Sequence, residues 1–326
     1  MSINDLRQVW GQPGIYAVSD GMFQSPGGSR LYDTTGFTES PSGSGLYAFN
    51  EIPATSASLT PHLEANPWVE VYFPQLNPAT DAVTIYRYSE GRTWRVRGGV
   101  EIAPGVPAQD FEAPFNIEST YRAEMFDAAG LSLGFTDPVS ITLTVPEGTT
   151  VVHQPLEPSL WTTVTIENGS GESIVRPTPE NKYVAEGAVL PRRIGQRRRG
   201  VAGLALKLFT TEPEQADAVQ AMLGDYEVEQ VAILCMRTTD PIRIPATFFF
   251  GTESLEEVGR DVQMGGTAVT FQGTVDEVEP PYPGLVVPLL SYDDIDASFA
   301  TYDDADAAFA TYTDRDRAYD LAGAAG

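Results

Sequence analysis

The chain has 326 residues, of which 42% are apolar, enough for packed cores and too many for a chain that stays unfolded. Its formal net charge of −25, from 20 basic and 45 acidic side chains, opposes binding to nucleic acid or to an anionic membrane surface. No run of about 18 apolar residues offers a membrane span, and the opening Met1-Ser-Ile-Asn-Asp5 has neither the basic nor the apolar region of a secretory signal.

Gly and Pro, 30 and 25 residues, favour many short strands and turns over long helices. Cys235 is the single cysteine and lies in the apolar run Val231–Met236. It reads as a small core residue that cannot form an internal disulfide, which fits synthesis in a cytoplasm.

Residues 1–58 show no sustained helical or strand period. They are rich in Gly, Ser and Thr, with isolated aromatics at Trp10, Tyr16, Phe23, Tyr32, Phe37, Tyr47 and Phe49. The reading is a docking arm whose aromatics need another surface, with a small irregular β-region as the alternative.

Between 59 and 150 the pattern becomes short alternating runs separated by turns. Trp68–Phe73 alternates and is broken by Pro74; Val83–Tyr88 ends at Glu90-Gly91, and Thr93–Arg97 follows. Tyr121–Phe126 leads into Ala128-Ala-Gly130, and Ile141–Val145 closes the stretch. Period-two runs at this spacing predict an antiparallel sandwich. Trp68, Val83–Arg87 and Tyr121–Gly130 resemble a fibronectin type III domain, with Tyr121 at the place of that family's corner tyrosine. The resemblance implies spacing and display, not chemistry.

Residues 151–285 read differently. Trp161–Glu167 and Val201–Phe209 are strands, and Thr211-x-x-Glu214 with Pro213 signals a helix start. Ala216, Val219, Met222 and Leu223 share one helix face, and Gly224 stops the helix. Glu229–Met236, Ile242–Phe250 and Ala268–Val275 complete a sheet. The expectation is an α+β module, one helix on a mostly antiparallel sheet.

The Arg-rich loop, the Gly-Val-x-Gly-Leu-x-Leu strand running to Thr-Thr-Glu-Pro-Glu and the helix, and the closing Phe271–Pro281 segment are similar to minor tail proteins of siphophages infecting actinobacteria. In those proteins a β-sandwich often precedes such a module.

After Pro280–Gly284 and the run Leu285–Leu290, residues 286–326 hold three ten-residue copies: Ser291–Ala300, Thr301–Ala310 and Thr311–Asp320. Ten residues at about 100° each fall roughly 80° short of three turns, so one continuous helix would rotate the aromatic stripe away. Ser291, Thr301 and Thr311 are good N-caps, each followed three residues later by an Asp. Two or three short helices are predicted, each needing a surface. Tyr292, Ile295 and Phe299 are assigned to one apolar face, with Tyr302, Phe309, Tyr312 and Tyr319 as their counterparts. The family just named carries acidic-aromatic decads at its C-termini as well.

A calcium site is the rival explanation of the Asp-rich copies, but they lack the Gly and bidentate Glu of an EF-hand, and capping accounts for the same carboxylates. Arg192, Arg193, Arg197, Arg198 and Arg199 crowd into eight residues and read as an ion-pairing contact with a neighbouring subunit. The plainer alternative is a solvated hairpin edge. His62 and His153 lack the partners of a catalytic triad. Neither a phosphate loop nor a dinucleotide fingerprint is present.

The fold class is therefore mainly β with some α: a sandwich, an α+β module and a tail of short helices. The function implied is a non-enzymatic structural subunit of a phage tail tip or baseplate, made in the host cytoplasm and residing in the virion. It would contact copies of itself, as a trimer or hexamer, and adjacent tail proteins, with no cofactor, metal, nucleic acid or membrane span. The alternative is an adhesin binding a host-surface glycan through Trp94 or Trp161.

Overall fold

The computed structural model describes residues 57–63, 66–184, 186, 189–190, 192–224, 230–260, 266–284 and 290–325, together with the backbone of five short strands before residue 50. The expected docking role of the aromatics before residue 50 lies outside the described side chains. The five strands are β1 (Tyr16–Ser19), β2 (Met22–Gln24), β3 (Leu31–Asp33), β4 (Phe37–Glu39) and β5 (Leu46–Ala48); the first three form one antiparallel sheet and the last two a hairpin.

The fold is mainly β with some α. Strands β6 (Ser58–His62), β7 (Trp68–Tyr72), β8 (Ala82–Ser89), β9 (Arg92–Arg95), β10 (Ala108–Asp110), β11 (Glu118–Phe126), β12 (Ser132–Phe135) and β13 (Val139–Thr142) build two antiparallel sheets. One has the order β10-β7-β6; in the other, β9-β8-β11, the far edge of β11 pairs with both β12 and β13. Alternation turns Val69, Val71, Val83, Ile85, Tyr121 and Ala123 into a shared core. The β8–β9 turn has positive φ at both central residues, Glu90 (50°) and Gly91 (74°), the geometry that matches strand twist in a two-residue hairpin.

The second sheet uses β14 (Thr150–Gln154), β15 (Glu157–Thr163), β16 (Thr165–Ile166), β19 (Leu204–Thr210), β20 (Ile233–Thr238), β21 (Thr247–Thr252), β22 (Glu256–Gly259) and β23 (Val269–Glu277). Its order is β15-β14-β20-β21-β23-β19-β16, with β22 also on β23, and all pairs are antiparallel. Between β16 and β19 the chain forms a separate hairpin, β17 (Glu180–Tyr183) with β18 (Arg192–Gly195). Helix α1 (Pro213–Leu223) packs Ala216, Val219 and Met222 against the sheet.

Several local expectations shift. The strand read over Trp161–Glu167 is two strands broken at Val164, and the strand read from Ile242 begins at Thr247. The helix cap is one residue later than expected: Glu212 is the N-cap, and Gln215 Oε1 accepts from the amides of Thr211 and Glu212. Gly224 ends the helix with φ 87°, as a positive-φ residue should.

The sandwich and the eight-stranded sheet meet across β14. Val151 lies in the first core and its neighbour Val152 in the second, because consecutive residues of a strand face opposite ways. The β20 strand repeats this: Leu234 and Met236 join the helix-side core, whereas Arg237 reaches the first sandwich. This explains why β20 is buried almost throughout.

Candidate interaction surfaces

The contact between the sandwich and the second sheet is a buried polar seam. Arg237 is fully buried, donates to the carbonyls of Pro67 (2.6 Å) and Ala113 (3.2 Å) and to Asn66 Oδ1, and lies over the Phe115 ring. Burial pulls its pKa down to about 10. Beside it, Arg87 pairs with Asp110 at 2.6 Å, and the Tyr121 hydroxyl donates to the same carboxylate at 2.8 Å. Burial opposes the Arg87 charge, and the Asp110 carboxylate more than restores it. Arg97 pairs with Glu112 at 2.6 Å and donates to the carbonyls of Pro281 and Tyr282, while the Gly98 amide donates to Pro283. The Pro-rich segment is thus held against the sandwich at the point where the C-terminal decads leave the body.

The decads form three short helices: α2 (Tyr292–Ser298), α3 (Tyr302–Ala308) and α4 (Tyr312–Asp316), followed by a 3-10 turn at Tyr319–Leu321. Ser291, Thr301 and Thr311 each accept from the amide three residues on, and each hydroxyl donates to the Asp there: Asp294, Asp304 and Asp314, at 2.7–2.8 Å. Asp294 also accepts from the Ala325 amide at 3.1 Å, so the chain's last residues return to the first decad. The Ser291 and Ala325 amides hold its carboxyl below the usual range.

The assigned apolar face needs correction. Ile295 is buried and Phe299 half-buried, but Tyr292 is 71% exposed, and Tyr302 and Tyr312 are 69% and 68% exposed. Each of the first two helices ends before its Phe, which adopts an extended backbone, so the first and eighth residues of the helical count no longer share a face. The inward positions are the fifth and ninth of the first two copies: Ile295 and Ala305 are buried, and Phe299 meets Phe309 edge-to-face at 5.7 Å. The tyrosine at position two points outward in all three copies.

The third copy differs, and its differences make the attachment. Arg317 forks onto Glu70 at 2.7 and 2.6 Å and lies over Tyr72. Tyr319 packs edge-on against Trp68 at 5.0 Å and against His62, which stacks on Trp68. Burial, then the Glu70 charge, raises the Tyr319 hydroxyl to about 12. Arg315 lies over both Tyr292 and Tyr312, joining the first copy to the third. Reading the repeats by their consensus passes over Arg315, Arg317, Glu70 and Trp68; the departure of the third copy from that consensus is the signal for them.

Arg192 and Arg193 belong to β18, and Arg197, Arg198 and Arg199 follow it; all five are exposed. Arg193 pairs with Glu180 across the hairpin at 2.7 Å, and Lys182, two residues along the same strand, pairs with it at 3.2 Å. Among the described residues, no ion pair joins this hairpin to the decads of the same chain; its carboxylate partner is Glu180. Trp94 is half-buried and tilted on Phe249, and Trp161 packs against the sandwich core. His153 is fully buried on β14, opposite Cys235.

Among the described residues, no cluster of three His, Cys, Asp or Glu is placed to hold a metal, and no helix is long and apolar enough to cross a membrane. No family model, no curated protein and no solved structure matches this chain.

Proposed function

We propose that this chain is a structural subunit of a siphophage tail tip or baseplate, a minor tail protein that acts by assembly rather than catalysis. The observation that carries the reading is the C-terminal strap. Three separately capped decads repeat one outward tyrosine, and the last decad fastens the set to the sandwich through Arg317 and Tyr319. Exposed tyrosines are amphipathic anchors that lose little rotamer entropy when covered, and they are enriched at protein interfaces. The polar seam supports the same reading, because it ties sandwich and sheet into a rigid carrier for the strap and the Arg hairpin. The module order and the terminal decads carry the sequence's resemblance to such tail proteins.

Changing Tyr292, Tyr302 and Tyr312 to Ser in the phage keeps Ile295, Ala305 and the Glu70 anchor and removes the two rings under Arg315. Circular dichroism of the purified variant checks that it folds. Virions carrying the triple variant should lack finished tail tips. Normal, infectious particles would overturn the reading of the strap as an assembly element.

A further inference from the structure

The β17–β18 hairpin stands apart from the large sheets. Its two strands pair only with each other, and every residue of both is exposed. An isolated two-stranded hairpin is marginal in water and gains stability from a third surface. The hairpin also presents apolar side chains to solvent: Val184, Leu190 and Ile194 are 60%, 77% and 61% exposed. From Val175 to Ala202 it carries seven basic and two acidic side chains in a chain of net charge −25. Among the described residues, no carboxylate lies within ion-pair distance of Arg192, Arg197, Arg198 or Arg199, because Glu180 is taken by Arg193 and Lys182.

The chain holds one surface with the complementary chemistry. The first two decads contain six Asp and no basic residue. Asp293, Asp296, Asp303 and Asp306 are exposed and sit beside the outward Tyr292 and Tyr302. Their capping partners, Asp294 and Asp304, are already bonded to Ser291 and Thr301. The pairing chemistry is realised within the chain: Arg317 grips Glu70 while stacking on Tyr72, and Arg315 lies between Tyr292 and Tyr312. Guanidinium groups paired with carboxylates and laid on tyrosine rings are the contacts a second set of arginines would make on the first two decads.

We infer that the Arg hairpin of one copy docks on the first two C-terminal decads of a second copy. The contact is heterologous, since the two surfaces differ, so each copy offers one hairpin and one strap and the assembly grows into a ring or a filament. The exposed aliphatic residues of the hairpin cover the tyrosine rings. Nucleic acid is disfavoured as occupant by the chain's overall charge and by these apolar side chains. The inference rests on the assembly reading above and supplies its contact.

The test is native mass spectrometry and sedimentation of the full chain at about 50 mM and about 500 mM salt. Wild type should form multiples of 35.3 kDa at low salt that dissociate at high salt. A hairpin variant with Arg192, Arg197, Arg198 and Arg199 changed to Gln should be monomeric. A strap variant with Asp293, Asp296, Asp303 and Asp306 changed to Asn should be monomeric too, its caps intact. Mixed, the two variants retain one working hairpin and one working strap, and should give a one-to-one dimer and nothing larger. Circular dichroism on both variants checks that they are folded. A monomeric wild type, or a strap variant that assembles like wild type, overturns the inference. In the second case the assembly reading stands with a different hairpin partner, and presence of the chain in virions judges that reading separately.

Discussion

Arg317, in the last decad, holds Glu70, on the second strand of the sandwich, through two charge-assisted hydrogen bonds of 2.7 and 2.6 Å across 247 residues of sequence. Glu70 is almost completely buried there, and Arg317 is 28% exposed. The pair covers the outer side of β7, whose inner side, Val69 and Val71, forms the sandwich core. The strap thus completes the burial of a strand that would otherwise face water.

Because the pair is bidentate and half-shielded, its coupling should exceed that of a surface ion pair. A double-mutant cycle of Arg317→Ala and Glu70→Gln is expected to give an interaction energy of about 1–3 kcal/mol. Arg317→Ala alone should make the decads, residues 291–320, more sensitive to limited proteolysis.

Arg237 satisfies two backbone carbonyls and Asn66 in a site without water access. Replacing it by Met leaves those acceptors unpaired, and breaking such a buried polar contact costs about 3–5 kcal/mol. Denaturant unfolding of Arg237→Met should show that loss. Changing Arg192, which is exposed, to Met should leave the midpoint within experimental error.

His153 is buried with neither ring nitrogen hydrogen-bonded. Burial, aided by the Arg237 and Arg97 charges, holds its pKa well below the ordinary 6.5. Cys235 lies opposite it, and the Arg97–Glu112 and Arg87–Asp110 pairs are the other charged groups of the seam. The unfolded chain therefore binds a proton that the folded chain refuses. Its contribution is fully present above about pH 6.5 and is lost as the pH falls below that value. Unfolding midpoints should drop from pH 7 to pH 5, and His153→Leu should flatten that part of the profile.

The three caps are predicted to act locally. Ser291→Ala, Thr301→Ala or Thr311→Ala should each cost about 0.5–2 kcal/mol of local stability. Amide exchange within the affected helix should accelerate while exchange in β20 and β23 stays unchanged. Asp294→Ala should reach further, because Asp294 also holds the Ala325 amide.

Alternation, turn residues and caps are local signals, and what they specify is legible in the sequence. The strands at Trp68, Val83 and Tyr121, the helix ending at Gly224 and the division of the tail into capped decads all follow from them. The orientation of the tyrosines does not. It depends on which side of each short helix meets the rest of the chain, and within one helix the structure buries Ile295 while leaving Tyr292 exposed. The polar seam is hidden for a different reason. Arg237 and His153 lie in runs that read as ordinary strands, and only pairing across distant sequence shows that one face of β14 and β20 meets another core. The anchor of the strap is half-legible: Arg317 and Tyr319 stand out against the other copies, while Glu70 is one carboxylate among many.

The most direct test of the assembly account is immunogold electron microscopy of virions produced by the genome that encodes this chain. The account predicts label at the tail tip, in repeated copies around the tail axis. Purified, infectious virions that contain none of this chain would contradict it.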